Sequence, residues 1–294
     1  MGAAVERHLS GIDAVVATTE LLQRNRAMHP TAGMYEAADF QWWWRSPRRT
    51  DEYPQLFWFD DDGPVAAAIA TAWGEATALD PLLLPDADDD WAESVVGRGL
   101  EHAAAHGIGH VELEAVPDGP VERALLRNGF TPGDGGYVEG WIDAAAVPAV
   151  SPIADGYSLH RRTDRTDRPH HYIRRSGADV EARLLQTSLY SPDRDLLVED
   201  DEGDAVASGL FWFDPVTQTG LVEPMRTEDD HQRKGLARHL LTSGLALLAH
   251  AGAERVKICW SPDNPPAASL YLDVGFVPDR RTRMFAGPTG CVPG

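Results

Sequence analysis

The sequence repeats itself, and this constrains the fold more than any single motif. LFWFDDDG, from Leu56 to Gly63, corresponds to LLVEDDEG, from Leu196 to Gly203; each runs an apolar strand into an acidic glycine turn. Further on, HVELEAVPDGPVERALLRNGF, from His110 to Phe130, corresponds to RVKICWSPDNPPAASLYLDVGF, from Arg255 to Phe276. The matches keep their order and nearly their separation, which is the mark of one unit used twice. Residues 144–156, rich in Ala and Pro and without strand or helix periodicity, read as the linker between the copies. The expected domains are therefore 1–143 and 157–294, and a chain of 294 residues is indeed long for one core.

Each copy reads as an apolar hairpin with an acidic Gly turn, a further strand, a helix, a strand, and a short helix ending in Gly-Phe. The expected class is α/β, more narrowly α+β, with mixed sheets near residues 65–73, 110–116, 206–213 and 219–226. In the second copy Leu236, Leu240, Leu241, Leu247, Leu248 and Ala251 share one helical face, with Gly252 placed as C-cap. In the first copy Val95, Val96, Leu100, Ala103 and Ala104 run toward Gly107.

Composition narrows the partners. The formal charge is −20, from 46 acidic against 26 basic residues, which argues against a sequence-independent grip on nucleic acid. No apolar run approaches the ~20 residues of a membrane span. MGAAVERHLSG lacks a signal pattern, and Glu6 stands where a myristoylation signal has Ser or Thr, so a cytoplasmic location is expected. Cys259 and Cys291 are expected as free thiols, with no disulfide or zinc framework.

Against that acidic background, LVEPMRTEDDHQRKGLARHLL gathers Arg226, His231, Arg233, Lys234 and Arg238 where a strand turns into a helix. Such a turn aims unpaired backbone N–H groups at one point, where the helix dipole favours an anion. Gly235 allows close approach. A polyanion such as a pyrophosphate fits; a basic, solvated helix start is the plainer alternative. No P-loop or dinucleotide fingerprint is present.

Gln232-Arg233-Lys234-Gly235-Leu236-Ala237 resembles the Gln/Arg-x-x-Gly-x-Gly/Ala turn of the GNAT superfamily of N-acetyltransferases, and Asn264, Ala267-Ala268-Ser269-Leu270-Tyr271 and Gly275-Phe276 resemble its later signature. The likeness covers roughly residues 156–285. It implies two GNAT-like domains, pseudo-duplicated, with acetyl-CoA as co-substrate and no metal. It further implies that Met225, Arg226, Thr227, Gln232, Arg233, Lys234, Gly235, Leu236, Ala237, Arg238 and Asn264 form the coenzyme site. Tyr271 would then be the general acid toward the departing thiolate, the Met225 N–H an oxyanion donor, and Thr227 a main-chain contact to pantetheine. Glu223 is the expected base, with Glu199, Asp214 or a first-half carboxylate as alternatives. The expected acceptor is a small-molecule primary amine, and the chain a monomer or homodimer. The alternatives are a non-catalytic acyl-CoA-binding or interaction module, or an enzyme using a longer acyl-CoA.

The first copy lacks this equipment. Asp86, Asp88, Asp89 and Asp90 replace the basic turn, Gly119 stands at the position of Asn264, and Leu125 or Leu126 at that of Tyr271. Carboxylates at a helix start suit its dipole but repel a pyrophosphate. Trp42, Trp43 and Trp44 are expected as packing, or else as the wall of a cleft for a cationic amine. His170 and His171, in a Pro- and Arg-rich stretch, are expected on a solvated surface, with no zinc spacing evident.

Overall fold

The computed structural model describes residues 4–290, so the thiol expected at Cys291 lies outside the described residues. The described residues divide into two compact units that are not contiguous in sequence: residues 4–37, 47–137 and 280–290, and residues 38–46 and 138–279.

The first unit is built on a six-stranded mixed sheet. Its strands are β1 (Val5–Leu9), β2 (Gln55–Asp60), β3 (Gly63–Trp73), β4 (Ala76–Leu83), β5 (His110–Ala115) and, from the far end of the chain, β13 (Arg283–Pro288). All pairs are antiparallel except β4 with β5, where Ala78 faces Glu112. Helices α1 (Gly11–Met28), α3 (Asp89–Ala105) and α4 (Pro120–Arg127) complete the unit, and α2 (Ala37–Trp43) begins where it ends. The apolar stripe of α3, with Val95, Val96 and Leu100, is buried in one core with Ala66, Ala68, Leu79, Val111 and Leu113. At Gly99 a Cβ would stand 2.9 Å from that of Ala68, so the helix rides close on the sheet.

The second unit carries seven strands in the order β12-β6-β11-β10-β9-β8-β7. These are β6 (Val138–Asp143), β7 (Tyr157–Arg161), β8 (Asp195–Asp200), β9 (Ala205–Asp214), β10 (Thr219–Thr227), β11 (Arg255–Trp260) and β12 (Val277–Arg281). Residues 144–156 join β6 to β7 within this sheet, and Ser151 N–H donates to Thr242 Oγ1 at 3.0 Å. Two short helices, α5 (Ile173–Ser176) and α6 (Val180–Leu184), lie between β7 and β8. The longer α7 (Leu236–Ala251) follows β10, and α8 (Pro265–Val274) follows β11.

Leu236, Leu240, Leu241, Leu245 and Leu248 of α7 are buried with Val198, Phe211, Val222, Val256 and Ile258. Each such leucine contributes about 2 kcal/mol of burial. Gly252 caps the helix in the left-handed region, as expected, at φ 100°. All four expected strands are present as β3, β5, β9 and β10. Both units are mixed sheets with helices, the α/β class read from the sequence.

Candidate active site

Strands β10 and β11 run parallel from Thr219 opposite Arg255 to Val222 opposite Ile258, and then their pairing ends. On its other edge β10 stays with β9, but its register shifts between Val222 and Met225, so Glu223 and Pro224 form an irregularity there. Proline suits such a site because it has no N–H to give the ladder. The two central strands therefore part, leaving Glu223–Thr227 on one side of the gap and Cys259 and Trp260 on the other.

The turn closes one end of this gap. Arg233 and Gly235 both take left-handed conformations, at φ 63° and 82°, with Lys234 between them. The first ladder bond of α7 runs from His239 N–H to the Gly235 carbonyl, so the N–H groups of Leu236, Ala237 and Arg238 precede the helical ladder. Charge is less one-sided than the basic residues alone suggest. Glu228 pairs with Arg226 at 3.2 Å and with Arg175 at 2.9 Å. These two guanidinium groups hold its carboxyl below the usual range. Asp229 accepts from Gln232 Nε2 at 3.0 Å, and Arg238 reaches Asp273 at 3.1 Å. Arg233 has no ion pair among the described residues, and Lys234 Nζ donates to the Tyr157 hydroxyl at 2.8 Å. That hydroxyl also lies 3.1 Å from His231 Nδ1. Tyr157, on β7, had no sequence signal, since nothing near Gly156 resembles the turn it meets.

At the parted strands, α8 supplies Tyr271, buried against Trp260 with ring centroids 5.7 Å apart. Burial pushes its hydroxyl up to about 12, and the nearby Glu223 and Cys259 add to the rise. Tyr271 therefore keeps its proton across the neutral range. Asn264 Oδ1 accepts the Ala267 N–H at 3.2 Å and so caps α8. Its amide NH2 and the second lone pair of Oδ1 remain for a ligand.

Glu223 is partly exposed as a residue, yet desolvation raises its carboxyl above the ordinary range. A hydrogen bond with Asp39 and the charges of Arg45 and Lys257 oppose that rise. Asp39 comes from α2, which belongs with this unit. Among the other carboxylates expected as bases, Glu199 is taken by Arg165 at 2.9 Å and Arg168 at 3.0 Å. Asp214 accepts the Val216 N–H in a turn. Burial pushes the Cys259 thiol well up, which leaves it protonated and unreactive.

The tryptophan run also packs in this unit. Trp42 meets Tyr172 at 5.1 Å and carries the Arg45 guanidinium 3.8 Å from its ring centre. Trp44 carries Arg183 at 3.7 Å and donates from Nε1 to Gln186 at 2.9 Å. Both rings thus carry cations of the chain itself, which favours the packing reading over a cleft for an amine.

In the first unit Asp88 caps α3 by accepting the Trp91 N–H at 2.8 Å, and Asp89 pairs with Arg123 at 2.6 Å. Gly119 is the N-cap of α4, as Asn264 is of α8. Leu125 is core and Leu126 is exposed.

His170 and His171 do not lie on a solvated surface, as their charged neighbourhood suggested. Their side chains are 1% and 4% exposed, around the fully buried Asp195 at the start of β8. A carboxylate from a strand later in the chain decides their burial, and local composition cannot reveal it.

Residues 156–276 match the acetyltransferase (GNAT) family model. No curated protein sequence matches the chain. Among solved structures, a tandem GNAT protein from the clavulanic acid biosynthesis pathway aligns over 99% of this chain and 100% of its own, at 16% identity and TM-score 0.68. A GCN5-related N-acetyltransferase from Sphaerobacter thermophilus aligns over 99% and 96%, at 13% identity and TM-score 0.59. A putative acetyltransferase from Pyrococcus horikoshii covers 100% and 92%, at 13% identity and TM-score 0.56. At these identities the likeness establishes a shared fold. The chain has the tandem GNAT fold, and its C-terminal half carries the GNAT-family domain.

Proposed function

From the GNAT-family domain over residues 156–276, we propose that the chain transfers the acetyl group of acetyl-CoA directly to a primary amine of a small molecule. The observation that carries this reading is the parting of β10 and β11 beyond Val222 and Ile258, with an N–H-rich turn at one end and the protonated Tyr271 beside the gap.

In this reading the pyrophosphate of the co-substrate sits on the turn, held by Gln232, Arg233, Lys234, Gly235, Leu236, Ala237 and Arg238. Its pantetheine arm runs along β10, past Arg226 and Thr227, toward Asn264. The neutral amine attacks the thioester carbonyl, and the Met225 N–H stabilises the oxyanion. Glu223 takes the proton released from nitrogen. The tetrahedral intermediate then collapses, the carbon–sulfur bond breaks, and Tyr271 gives its proton to the thiolate. Water carries the proton from Glu223 to the phenolate of Tyr271, so a full turn leaves the protein unchanged. A donor bearing a second carboxylate would want a free Arg226, and the ion pair of Arg226 with Glu228 favours the acetyl group.

Acetyl-CoA consumption across a panel of amines, compared with Tyr271→Phe, tests the reading. The variant is expected to lower kcat on the order of 10²-fold, the usual share of a general acid, while acetyl-CoA affinity is kept. Unchanged turnover would remove Tyr271 from the mechanism. Tight acetyl-CoA binding with no transfer to any amine or protein lysine would make the chain a binding module instead.

A further inference from the structure

We propose that His170, His171 and Asp195 form a binding site for a divalent transition metal of the zinc class, which fastens the segment between β7 and β8 to the second sheet. The site is independent of the acetyl-transfer reading.

Each of the three residues offers one donor atom, and these atoms lie within 4.8 Å of one another. His170 Nε2 is 3.0 Å from Asp195 Oδ2, and His171 Nε2 is 3.1 Å from Asp195 Oδ1. A tetrahedral ion with bonds of about 2.0 Å holds neighbouring donor atoms about 3.3 Å apart, close to the 3.1 Å between His171 Nε2 and Asp195 Oδ1. Distance alone would also suit a hydrogen bond, but alignment does not. Neither ring nitrogen of His171 has a hydrogen-bond partner, and nor does Asp195 Oδ1, although all three are buried. The same 3.1 Å serves an ion pair when the ring is protonated, whereas a shared ion uses the lone pairs of both atoms without that proton. Leaving such groups buried and unsatisfied is costly, and an ion shared between them removes that cost.

The surroundings fit a second layer of support. Tyr190 donates its hydroxyl to Asp195 Oδ2 at 2.9 Å, which orients the carboxylate and leaves Oδ1 for the ion. The two imidazoles stack with centroids 4.6 Å apart. His170 Nδ1 accepts the Tyr172 N–H at 3.2 Å, and its Nε2 lies 3.3 Å from the Tyr190 hydroxyl, so coordination through Nε2 moves the ring proton to Nδ1 and gives up both bonds. Both are long, a small loss beside metal coordination. Two imidazoles and one carboxylate suit zinc, cobalt or nickel far better than magnesium or calcium, which take oxygen donors.

The place in the fold explains what the ion would do. Between Arg161 and Asp195 the only α-helices are α5 and α6, of four and five residues. Such short helices do not hold themselves together in water. A bond from His170 and His171 to the first residue of β8 anchors the segment about a third of the way along it.

The test uses the full-length chain, stripped with a chelator and titrated with Zn2+ and then Co2+. About one Zn2+ per chain is expected by elemental analysis. The melting temperature is expected to rise by roughly 5 °C at an excess of about a hundredfold over Kd. Co2+ should give the visible absorption of a tetrahedral nitrogen and oxygen site. His171→Ala should abolish the uptake, and the conservative His171→Gln serves where the first variant does not fold. Loss of metal uptake in Cys259→Ser, or a thiolate band in the Co2+ spectrum, would place the ion elsewhere and overturn the proposal. So would an unshifted melting temperature with less than about a tenth of an equivalent bound.

Discussion

Glu223 and Tyr271, the proposed base and acid, sit in surroundings that treat their protons differently. Tyr271 is raised to about 12 and stays a donor. Glu223 is raised by desolvation but is drawn back by Asp39, Arg45 and Lys257. A base must be ionised, so activity should fall as pH drops through the raised carboxyl value. Removing the Asp39 bond in Asp39→Ala takes away an influence that lowers Glu223, so the acid limb of the kcat/KM profile should move to higher pH. Asp39→Asn still offers an N–H to the carboxylate and should leave the limb near its original place. A shift to lower pH in the alanine variant would mean that Asp39 acts as a repelling charge instead. Glu223 is singled out by its place before the turn and Tyr271 by its resemblance to a family signature ahead of Gly275-Phe276, and the structure places Glu223 in the β10 irregularity and Tyr271 against Trp260. Asp39 is not singled out, because a residue far upstream reaches the second unit only through the placement of α2. His170 and His171 were misplaced for the same kind of reason, since Asp195 buries them.

At the scale of elements, α7 ties the sheet to the turn. Its periodic leucines made it the most legible element of the chain, although Leu245, which is fully buried, escaped the sequence reading. Gly244 also escaped it, because a glycine inside an apolar helix carries no period. Its reason is contact: a Cβ there would fall within the ring of Phe211, itself buried on β9. In Gly244→Ala the helix must lift or the ring must turn, and overpacking of this kind costs about 2 kcal/mol, or roughly 5 °C in melting temperature. Because α7 also presents the N–H groups of Leu236, Ala237 and Arg238, lifting it should weaken acetyl-CoA binding too. Calorimetric titration of the variant below its melting point checks this. Unchanged affinity in a destabilised protein would mean that the turn is held from β10 alone. The membership of β6 and β13 shows the limit of reading by halves. Periodicity identifies a strand, but only pairing assigns it to a sheet, and each of these two joins the unit that the other end of the chain builds.

Across the whole molecule, duplication has kept the framework and changed one of the two sites. An acid-proline pair survives in both copies, as Asp80-Pro81 on β4 and Glu223-Pro224 on β10. In the first unit burial pushes Asp80 up to about 7, opposed by the Tyr35 hydroxyl bond at 2.9 Å and assisted by the charge of Glu114. No tyrosine follows on α4, and the helix start that would hold a pyrophosphate carries Asp86, Asp88, Asp89 and Asp90. Arg123 and Arg127 offset only Asp89 among them. One uncompensated unit charge about 4 Å from a phosphate costs on the order of 4 kcal/mol near a protein surface, enough to weaken binding roughly a thousandfold. The second copy alone should therefore take the co-substrate, and titration calorimetry should give about one acetyl-CoA per chain. Gly235→Val forces a branched side chain into a left-handed backbone position at φ 82° and should abolish that binding entirely. If the variant still bound a full equivalent, the acidic turn would have to hold the coenzyme after all, and the assignment of the site to the second copy would fall.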